Sequence, residues 1–134
     1  MKSFDTHTLL TAHGLRCTRP RVKVAELLFA DGKDRHITAE WVADELAKMG
    51  EAVALATVYN TLNSFMEAGL LAQINGLEAG RHVFDTNTEP HHHFYNETTG
   101  CLTDMPPSAL RFYKMPEAPA GTEIVDWQVV VRVR

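Results

Sequence analysis

The order of the secondary-structure signals constrains this chain more than any other feature of its sequence. The clearest helical segment runs over Ala56–Met66, carries apolar residues with helical spacing, and is closed by Gly69. Two short strands are predicted directly after it, Leu70–Asn75 and Arg81–Asp85, joined by a loop with a glycine at each end. A hairpin that follows three or four helices is the order of a winged helix-turn-helix.

Three shorter helices are predicted before this segment. The first spans Thr6–His13 and ends at Gly14, and the second begins at the N-cap Thr18 and runs to about Ala30. The third begins at the N-cap Thr38. Its buried side is predicted to carry Trp41, Val42, Leu46 and Met49.

The character of the chain changes after Asn87. Apolar and polar residues alternate from Val125 to Val133, which predicts one long strand. Such a short segment buries little apolar surface alone, and an unpaired strand would expose an edge. We therefore expect an α+β protein with a winged helix-turn-helix domain over residues 1–87 and a small α/β dimerisation domain over residues 88–134.

The composition excludes some classes of protein. The chain has 134 residues, of which 45% are hydrophobic and 22% are charged, as in a globular protein. No run of about 18 apolar residues predicts a membrane span, and the start, Met1–Asp5, lacks the apolar segment of a secretory signal. Cys17 and Cys101 are too far apart for a Cys-x-x-Cys zinc pair and fit a reducing compartment. We expect a cytoplasmic protein.

The distribution of charge favours nucleic acid more than the total does. The net charge is −4, but the first 24 residues contain a single acid, Asp5. The basic residues there are Lys2, Arg16, Arg19, Arg21 and Lys23. A local basic face can bind phosphate even on an acidic chain. An ordinary solvated helix edge is the alternative interpretation of this cluster.

The polar face of the fourth helix is a candidate for reading DNA. It carries Tyr59, Asn60 and Asn63. Asparagine can pair with adenine through two hydrogen bonds, and tyrosine can contact phosphate or a thymine methyl group. Solvated helix residues are the alternative, but the adjacent hairpin and the basic cluster favour a recognition helix.

Three adjacent histidines are a candidate site for a metal or for haem. Imidazole is a common ligand of zinc and of iron, including haem iron. On a strand, His91 and His93 would share one face while His92 points away. His36 and Asp85 are weaker candidates when they are considered alone.

Several motifs together resemble the ferric uptake regulator (Fur) family. They are Gly14–Arg21, His36–Glu40, Leu55–Leu62 and Phe84–Asp85, followed by the histidine run. The resemblance implies a homodimer that binds A·T-rich palindromes in double-stranded DNA and regulates metal-homeostasis genes. It also implies an N-terminal winged helix and a C-terminal dimerisation domain.

The resemblance carries functional residues onto this sequence. Arg16 matches the family position that reaches the minor groove, and Tyr59 matches the tyrosine of its recognition helix. Together with the basic cluster and the polar face of the fourth helix, this gives the candidate DNA-binding residues Arg16, Arg19, Arg21, Thr57, Tyr59, Asn60 and Asn63. The implied ligands of a divalent metal (Fe, Mn or Zn) are His36, Asp85, His93 and Asp104.

Two departures from the family pattern resemble its Irr branch, which responds to haem. The Cys-x-x-Cys that usually follows the histidines is replaced by Asn96–Thr99, and the usual arginine after the tyrosine is Asn60. The implied haem ligands are His91, His92 and His93. The Cys-Pro haem motif of some Irr proteins is absent, because Thr18 follows Cys17.

Two alternatives stay open at this point. One is a metal-only Fur-type regulator without haem sensing. The other is a small metal-dependent hydrolase that uses His91, His93 and Asp85, which is disfavoured because no residue is evidently placed as a general base or oxyanion donor. We expect that the protein is not an enzyme.

Overall fold

Four helices form most of the N-terminal unit, which comprises Met1–Thr88. The computed structural model describes residues 4–134, so Lys2 of the basic cluster lies outside the described residues. The helices are α1 (Thr6–Ala12), α2 (Arg19–Phe29), α3 (Ala39–Lys48) and α4 (Leu55–Glu67). All four helices were predicted, with ends that agree to within about two residues.

Side-chain caps explain where two of these helices begin. The Asp5 carboxylate accepts hydrogen bonds from the backbone N–H groups of His7 and Thr8, and the Thr38 hydroxyl accepts one from that of Trp41. Thr18 occupies the N-cap position of α2, but its side chain makes no capping hydrogen bond. Thr38 therefore caps through its side chain as predicted, whereas Thr18 does not.

The end of α4 depends on a glycine. Gly69 has a positive φ of 84°, and the next residue, Leu70, donates its backbone N–H to the Phe65 carbonyl at 2.8 Å. This is the Schellman motif, in which a left-handed residue satisfies the last carbonyl groups of a helix. It turns the chain from α4 directly into the hairpin.

The core of the N-terminal unit lies between its helices and sheet. Buried residues at helical spacing face this core, including Val24 and Leu28 from α2 and Val58, Leu62 and Phe65 from α4. This stripe on α4 was predicted.

The prediction for α3 was wrong at two positions. Val42 and Leu46 are buried, but Trp41 is 38% exposed and Met49 is 54% exposed. Trp41 precedes the buried Val42 by one residue, which places it about 100° around the helix from Val42. Met49 lies beyond Lys48, the last helical residue, and is the C-cap.

A three-stranded sheet completes the N-terminal unit. Its strands are β1 (His36–Ile37), β2 (Ala72–Ile74) and β3 (Val83–Asp85), in the order β1-β3-β2. All pairs are antiparallel, so β2 and β3 form the predicted hairpin with shorter strands than expected. The third strand, β1, was not predicted, since two residues give no readable alternation.

The C-terminal unit, Glu89–Arg134, contains a second three-stranded sheet. Its strands are β4 (His93–Asn96), β5 (Leu102–Asp104) and β6 (Val130–Val133), in the order β5-β4-β6. β4 is antiparallel to β5 and parallel to β6. A single turn of 3₁₀ helix lies at Pro107–Ala109.

The long strand predicted from Val125 to Val133 is wrong in length and in pairing. Only Val130–Val133 is a strand, and it has a partner within the chain, because His93 pairs with Val130 and Asn96 with Val133. β4 has four residues, so it offers no strand partner for the alternating residues before Val130. Among the described residues 4–134, no helix is long and apolar enough to cross a membrane.

Candidate functional site

A groove in the N-terminal unit brings together several of the predicted DNA-binding residues. Arg16, in the turn before α2, and Arg21, in the first turn of α2, line this groove together with Thr57 and Asn60 of α4. Arg21 Nη1 donates to the Arg16 carbonyl at 3.3 Å. Two arginines and the exposed Asn60 therefore line the same space. Such a space can accept a phosphate and the edge of a base.

Arg19 points elsewhere. Its Nη2 lies 2.6 Å from Glu51 Oε1, and Lys23 Nζ lies 3.9 Å from the same oxygen. Glu51 therefore partly neutralises the basic cluster. No sequence pattern predicts this contact, because Glu51 lies 32 residues from Arg19.

Tyr59 and Asn63 border a second pocket, against the hairpin. Gln73, His82 and Phe84 complete its lining. The Tyr59 hydroxyl donates to Glu40 Oε1 at 2.9 Å, and the His82 ring meets the Tyr59 ring edge-on at 6.4 Å. The hydrogen bond to the Glu40 carboxylate, with burial adding to it, raises the pKa of Tyr59 above its ordinary value. Glu40 and His82 were not among the predicted site residues.

Two of the predicted metal ligands face each other within the N-terminal unit. β1 and β3 pair His36 with Asp85, and His36 Nε2 lies 3.2 Å from Asp85 Oδ2. The Asp85 side chain is buried, with 2% exposed, and its other oxygen accepts the Asn87 N–H at 2.9 Å. A buried carboxylate held against an imidazole is a pair of donors that suits a divalent transition metal.

Hydrogen bonds between Arg35 and Thr86, next to this pair, hold the two strands in register. The Arg35 N–H donates to Thr86 Oγ1 at 2.9 Å, and the Thr86 N–H donates to the Arg35 carbonyl at 3.1 Å. Arg35 Nη1 also donates to the Leu27 and Leu28 carbonyls at the end of α2. Arg35 thus joins the strand that carries His36 to α2.

Two histidines and one aspartate come together within the C-terminal unit. β4 and β5 pair His93 with Asp104, and His91 Nε2 and His93 Nε2 each lie 3.3 Å from Asp104 Oδ1. The ligand atoms of the three residues all lie within 4.8 Å of one another. The sequence predicted that His91 and His93 share one face, but the metal set carried over from the family resemblance omitted His91.

His92 lies apart from this trio, as the strand alternation predicted. Its Nδ1 accepts the Val129 N–H at 3.1 Å, and its ring lies 4.8 Å from that of Trp127 and 6.0 Å from that of Phe112. Burial, together with the neighbouring His91 and His93, lowers the pKa of His92 below its ordinary value. The three histidines therefore do not act as one continuous face.

Residues 12–131 match the model of the ferric uptake regulator family. The chain belongs to this family. The resemblance seen in the sequence is confirmed at the level of the family, whereas the Irr branch is not established by these matches. Fur-family proteins are transcription regulators, so the hydrolase alternative has no support from the relatives.

Curated Fur relatives match a part of their own length. The ferric uptake regulation protein of Shigella flexneri is 43% identical over 89 residues, which cover 66% of this chain and 58% of that protein. The protein of Escherichia coli K12 is 42% identical with the same coverage. The match therefore spans less than two thirds of these relatives.

Solved Fur structures share the fold along nearly the whole chain. The ferric uptake regulator of Pseudomonas aeruginosa, solved with manganese, is 30% identical with a TM-score of 0.72, and 98% of each chain is covered. The regulator of Vibrio cholerae has the same TM-score at 24% identity, with 97% of this chain and 99% of that chain covered. The α+β Fur fold, with a winged helix followed by a small second sheet, is thereby confirmed.

Proposed function

We propose that this chain is a metal-responsive transcriptional regulator of the Fur type, acting in the cytoplasm as a homodimer on A·T-rich palindromic DNA. The observation that carries the proposal is the groove between α2 and α4, which two arginines line together with the exposed Asn60. Arginine binds phosphate, and asparagine pairs with adenine in the major groove. Membership of the Fur family supports the same assignment.

We assign contact with DNA to two faces of α4, the one that lines the groove with Arg16 and Arg21 and the one that lines the pocket against the hairpin. Arg16, Arg21 and Thr57 would hold the phosphate backbone around Asn60, while Tyr59 and Asn63 meet the duplex next to the hairpin. Arg19 would first have to leave Glu51. Its contribution to affinity is therefore the smallest of the three arginines.

Divalent metal is the proposed effector. Each unit holds its own set of ligands, the pair His36 and Asp85 in the N-terminal unit and the trio His91, His93 and Asp104 in the C-terminal unit. The nitrogen and oxygen donors of either set suit Mn²⁺, Fe²⁺ or Zn²⁺. Mn²⁺ is the first ion to test, because the Pseudomonas aeruginosa relative was solved with manganese. A bound cation supplies positive charge that offsets the carboxylates of Asp85 and Asp104.

A second copy of the chain is the proposed partner of the C-terminal unit. Large apolar side chains are exposed there, and β6 lies at an edge of its sheet. Pairing with another copy would cover both the apolar side chains and the strand edge.

DNA binding is tested by fluorescence anisotropy with an A·T-rich palindrome and a shuffled duplex of the same composition. Asn60→Ala should weaken palindrome binding by about 1–3 kcal/mol, roughly fivefold to 150-fold, because one base pairing is lost. Ser108→Ala, an exposed polar change in the other unit, is the matched control and should change the affinity by less than about twofold. Equal palindrome affinity in the parent, Asn60→Ala and Tyr59→Ala proteins would remove α4 from the recognition role.

Response to haem is the second candidate function, favoured by the aromatic rings of Phe112 and Trp127 beside His92. The hydrogen bond that His92 Nδ1 accepts from Val129 places the proton of the neutral ring on Nε2. Ligation of iron by Nε2 would therefore cost this hydrogen bond. The present contacts fit a metal-only regulator better than a haem sensor.

An absorption measurement separates these two candidates. If the histidine run holds haem, adding haem to the parent protein should produce a Soret band. The band should be lost in the variant in which His91, His92 and His93 are all replaced by alanine. His92→Ala should leave Mn²⁺ affinity unchanged, since its ring lies apart from the trio, but should weaken haem binding across the run. A Soret band that persists in the triple variant excludes the histidine run as the haem site.

A further inference from the structure

The hydroxyl group of Tyr59 is already engaged by a neighbouring helix. It donates to Glu40 Oε1 at 2.9 Å, and the two residues lie 19 positions apart, on α4 and α3. Glu40 is exposed, whereas Tyr59 is half-buried. A charged residue at the surface therefore holds the hydroxyl end of a tyrosine on the proposed recognition helix.

The ring of Tyr59 is also held from the side. The His82 ring meets it edge-on at 6.4 Å, and His82 Nδ1 lies 3.4 Å from Gln73 Nε2 of β2. The orientation of Tyr59 is thus set by α3 at its hydroxyl and by the hairpin along its ring. Contact with DNA is not needed to fix it.

This arrangement limits what Tyr59 can offer to DNA. Its single proton is donated to Glu40, so the same proton is not available to a phosphate oxygen. The Glu40 carboxylate also repels phosphates that approach this part of the surface. Both effects oppose contact between the Tyr59 hydroxyl and the sugar-phosphate backbone of DNA, which carries no sequence information. The Tyr59 ring remains able to contact a base.

We propose that Glu40 is a specificity-determining residue that positions Tyr59 so that its ring, and not its hydroxyl, meets the DNA. The inference rests on the proposed function and deepens it. Glu40 weakens binding to any duplex through its charge, and it preserves discrimination between duplexes through its hydrogen bond to Tyr59. The two roles are separable, because a glutamine at position 40 keeps an accepting oxygen without the charge.

The test compares the ratio of palindrome affinity to shuffled-duplex affinity at one salt concentration. Glu40→Ala should lower this ratio at least threefold, because Tyr59 loses its anchor. Glu40→Gln should keep the ratio within twofold of the parent and raise both affinities by about threefold to tenfold, the effect of removing one repelling charge. Glu45→Ala and Glu45→Gln, on the same helix but paired with Lys48, are the matched controls and should leave the ratio unchanged.

A double-variant comparison distinguishes positioning from a general loss of helix stability. Tyr59→Phe should lower the ratio about as much as Glu40→Ala, and the combined variant should lower it no further. Additive losses, or a ratio that Glu40→Ala leaves intact, would overturn the proposal.

Ultraviolet titration checks the contact without DNA. The tyrosine absorption lost in Tyr59→Phe reports the pKa of Tyr59, which should fall in Glu40→Ala towards its ordinary value because the hydrogen bond and the nearby negative charge are gone. An unchanged Tyr59 pKa would overturn the inference while leaving the proposed function intact. A parent protein that shows the contact but does not distinguish the two duplexes would instead overturn the proposed function, and the inference with it.

Discussion

The two units of this chain bury their apolar residues to different extents. In the N-terminal unit the large buried side chains come from all four helices and the sheet, and Phe65, Leu62 and Leu28 are among those fully buried. In the C-terminal unit, every residue of which is described, Tyr95 and Met105 are the buried hydrophobic residues. Tyr113 and Val125 are almost completely exposed there.

This difference indicates how each unit obtains its stability. A helical unit with a continuous core is stabilised by its own burial of apolar surface. A short sheet with few buried residues gains little in this way and depends on further contacts. We therefore expect the proposed pairing with a second copy to stabilise the C-terminal unit more than the N-terminal unit.

Core substitutions should produce the largest contrast between the units. Phe65→Ala should lower the free energy of unfolding of the N-terminal unit by about 3–5 kcal/mol, because it leaves a cavity in a packed core. Trp127→Ala should cost less, about 1–2 kcal/mol, because Trp127 is 41% exposed and its ring packs against the rings of His92 and Phe112. Urea unfolding followed by circular dichroism measures both values, and equal costs would abolish the contrast.

A charged substitution on the C-terminal unit sharpens the comparison further. Val125→Asp should weaken self-association by about tenfold or more, because Val125 is 90% exposed in the single chain and apolar contact surface does not tolerate an unpaired charge. Sedimentation at several protein concentrations measures the effect. Ser108→Asp, which adds the same charge to the 3₁₀ turn, is the control. A dimer of unchanged affinity in Val125→Asp would place the interface elsewhere.

The smallest expected effect concerns two glycines in left-handed turns. Gly69 and Gly121 have φ values of 84° and 79°, and an added Cβ would meet no atom within 4 Å at either position. Gly69→Ala should therefore destabilise the N-terminal unit through backbone strain alone, by about 1 kcal/mol. Gly121→Ala should leave the unfolding of that unit unchanged. Trp41 fluorescence, recorded in a Trp127→Phe background, follows the unfolding of the N-terminal unit. If Gly121→Ala shifted this unfolding transition, the two units would not be independently stable.

Local signals made the N-terminal fold readable from the sequence. The stripe of Val58, Leu62 and Phe65 has the period of one helix, and Gly69 marks its end in the sequence as well as in the structure. β1 was missed because its two residues pair with β3, far along the chain, and a non-local pairing leaves no periodic pattern. The C-terminal strand was overestimated because its length is set by its partner β4 and not by its own alternation.

The candidate sites were predictable in residue type but less so in geometry. The separation of His92 from His91 and His93 followed from strand alternation alone. The contacts of Glu40 with Tyr59 and of Glu51 with Arg19 required knowledge of how the helices pack. These contacts change the expected roles of Tyr59 and Arg19, although both residues had been identified.

The response of DNA affinity to Mn²⁺ tests the central claim, a metal-responsive DNA-binding regulator, most directly. Palindrome affinity is measured by anisotropy with saturating Mn²⁺ and with chelator, for the parent, His93→Ala and His92→Ala. Mn²⁺ should raise the affinity of the parent and of His92→Ala by at least about fivefold, a typical coupling between two sites, since the cation adds positive charge to a chain of net charge −4. His93→Ala, which loses a trio ligand, should respond less than twofold. An equal response in all three proteins, or none in the parent, would contradict the account.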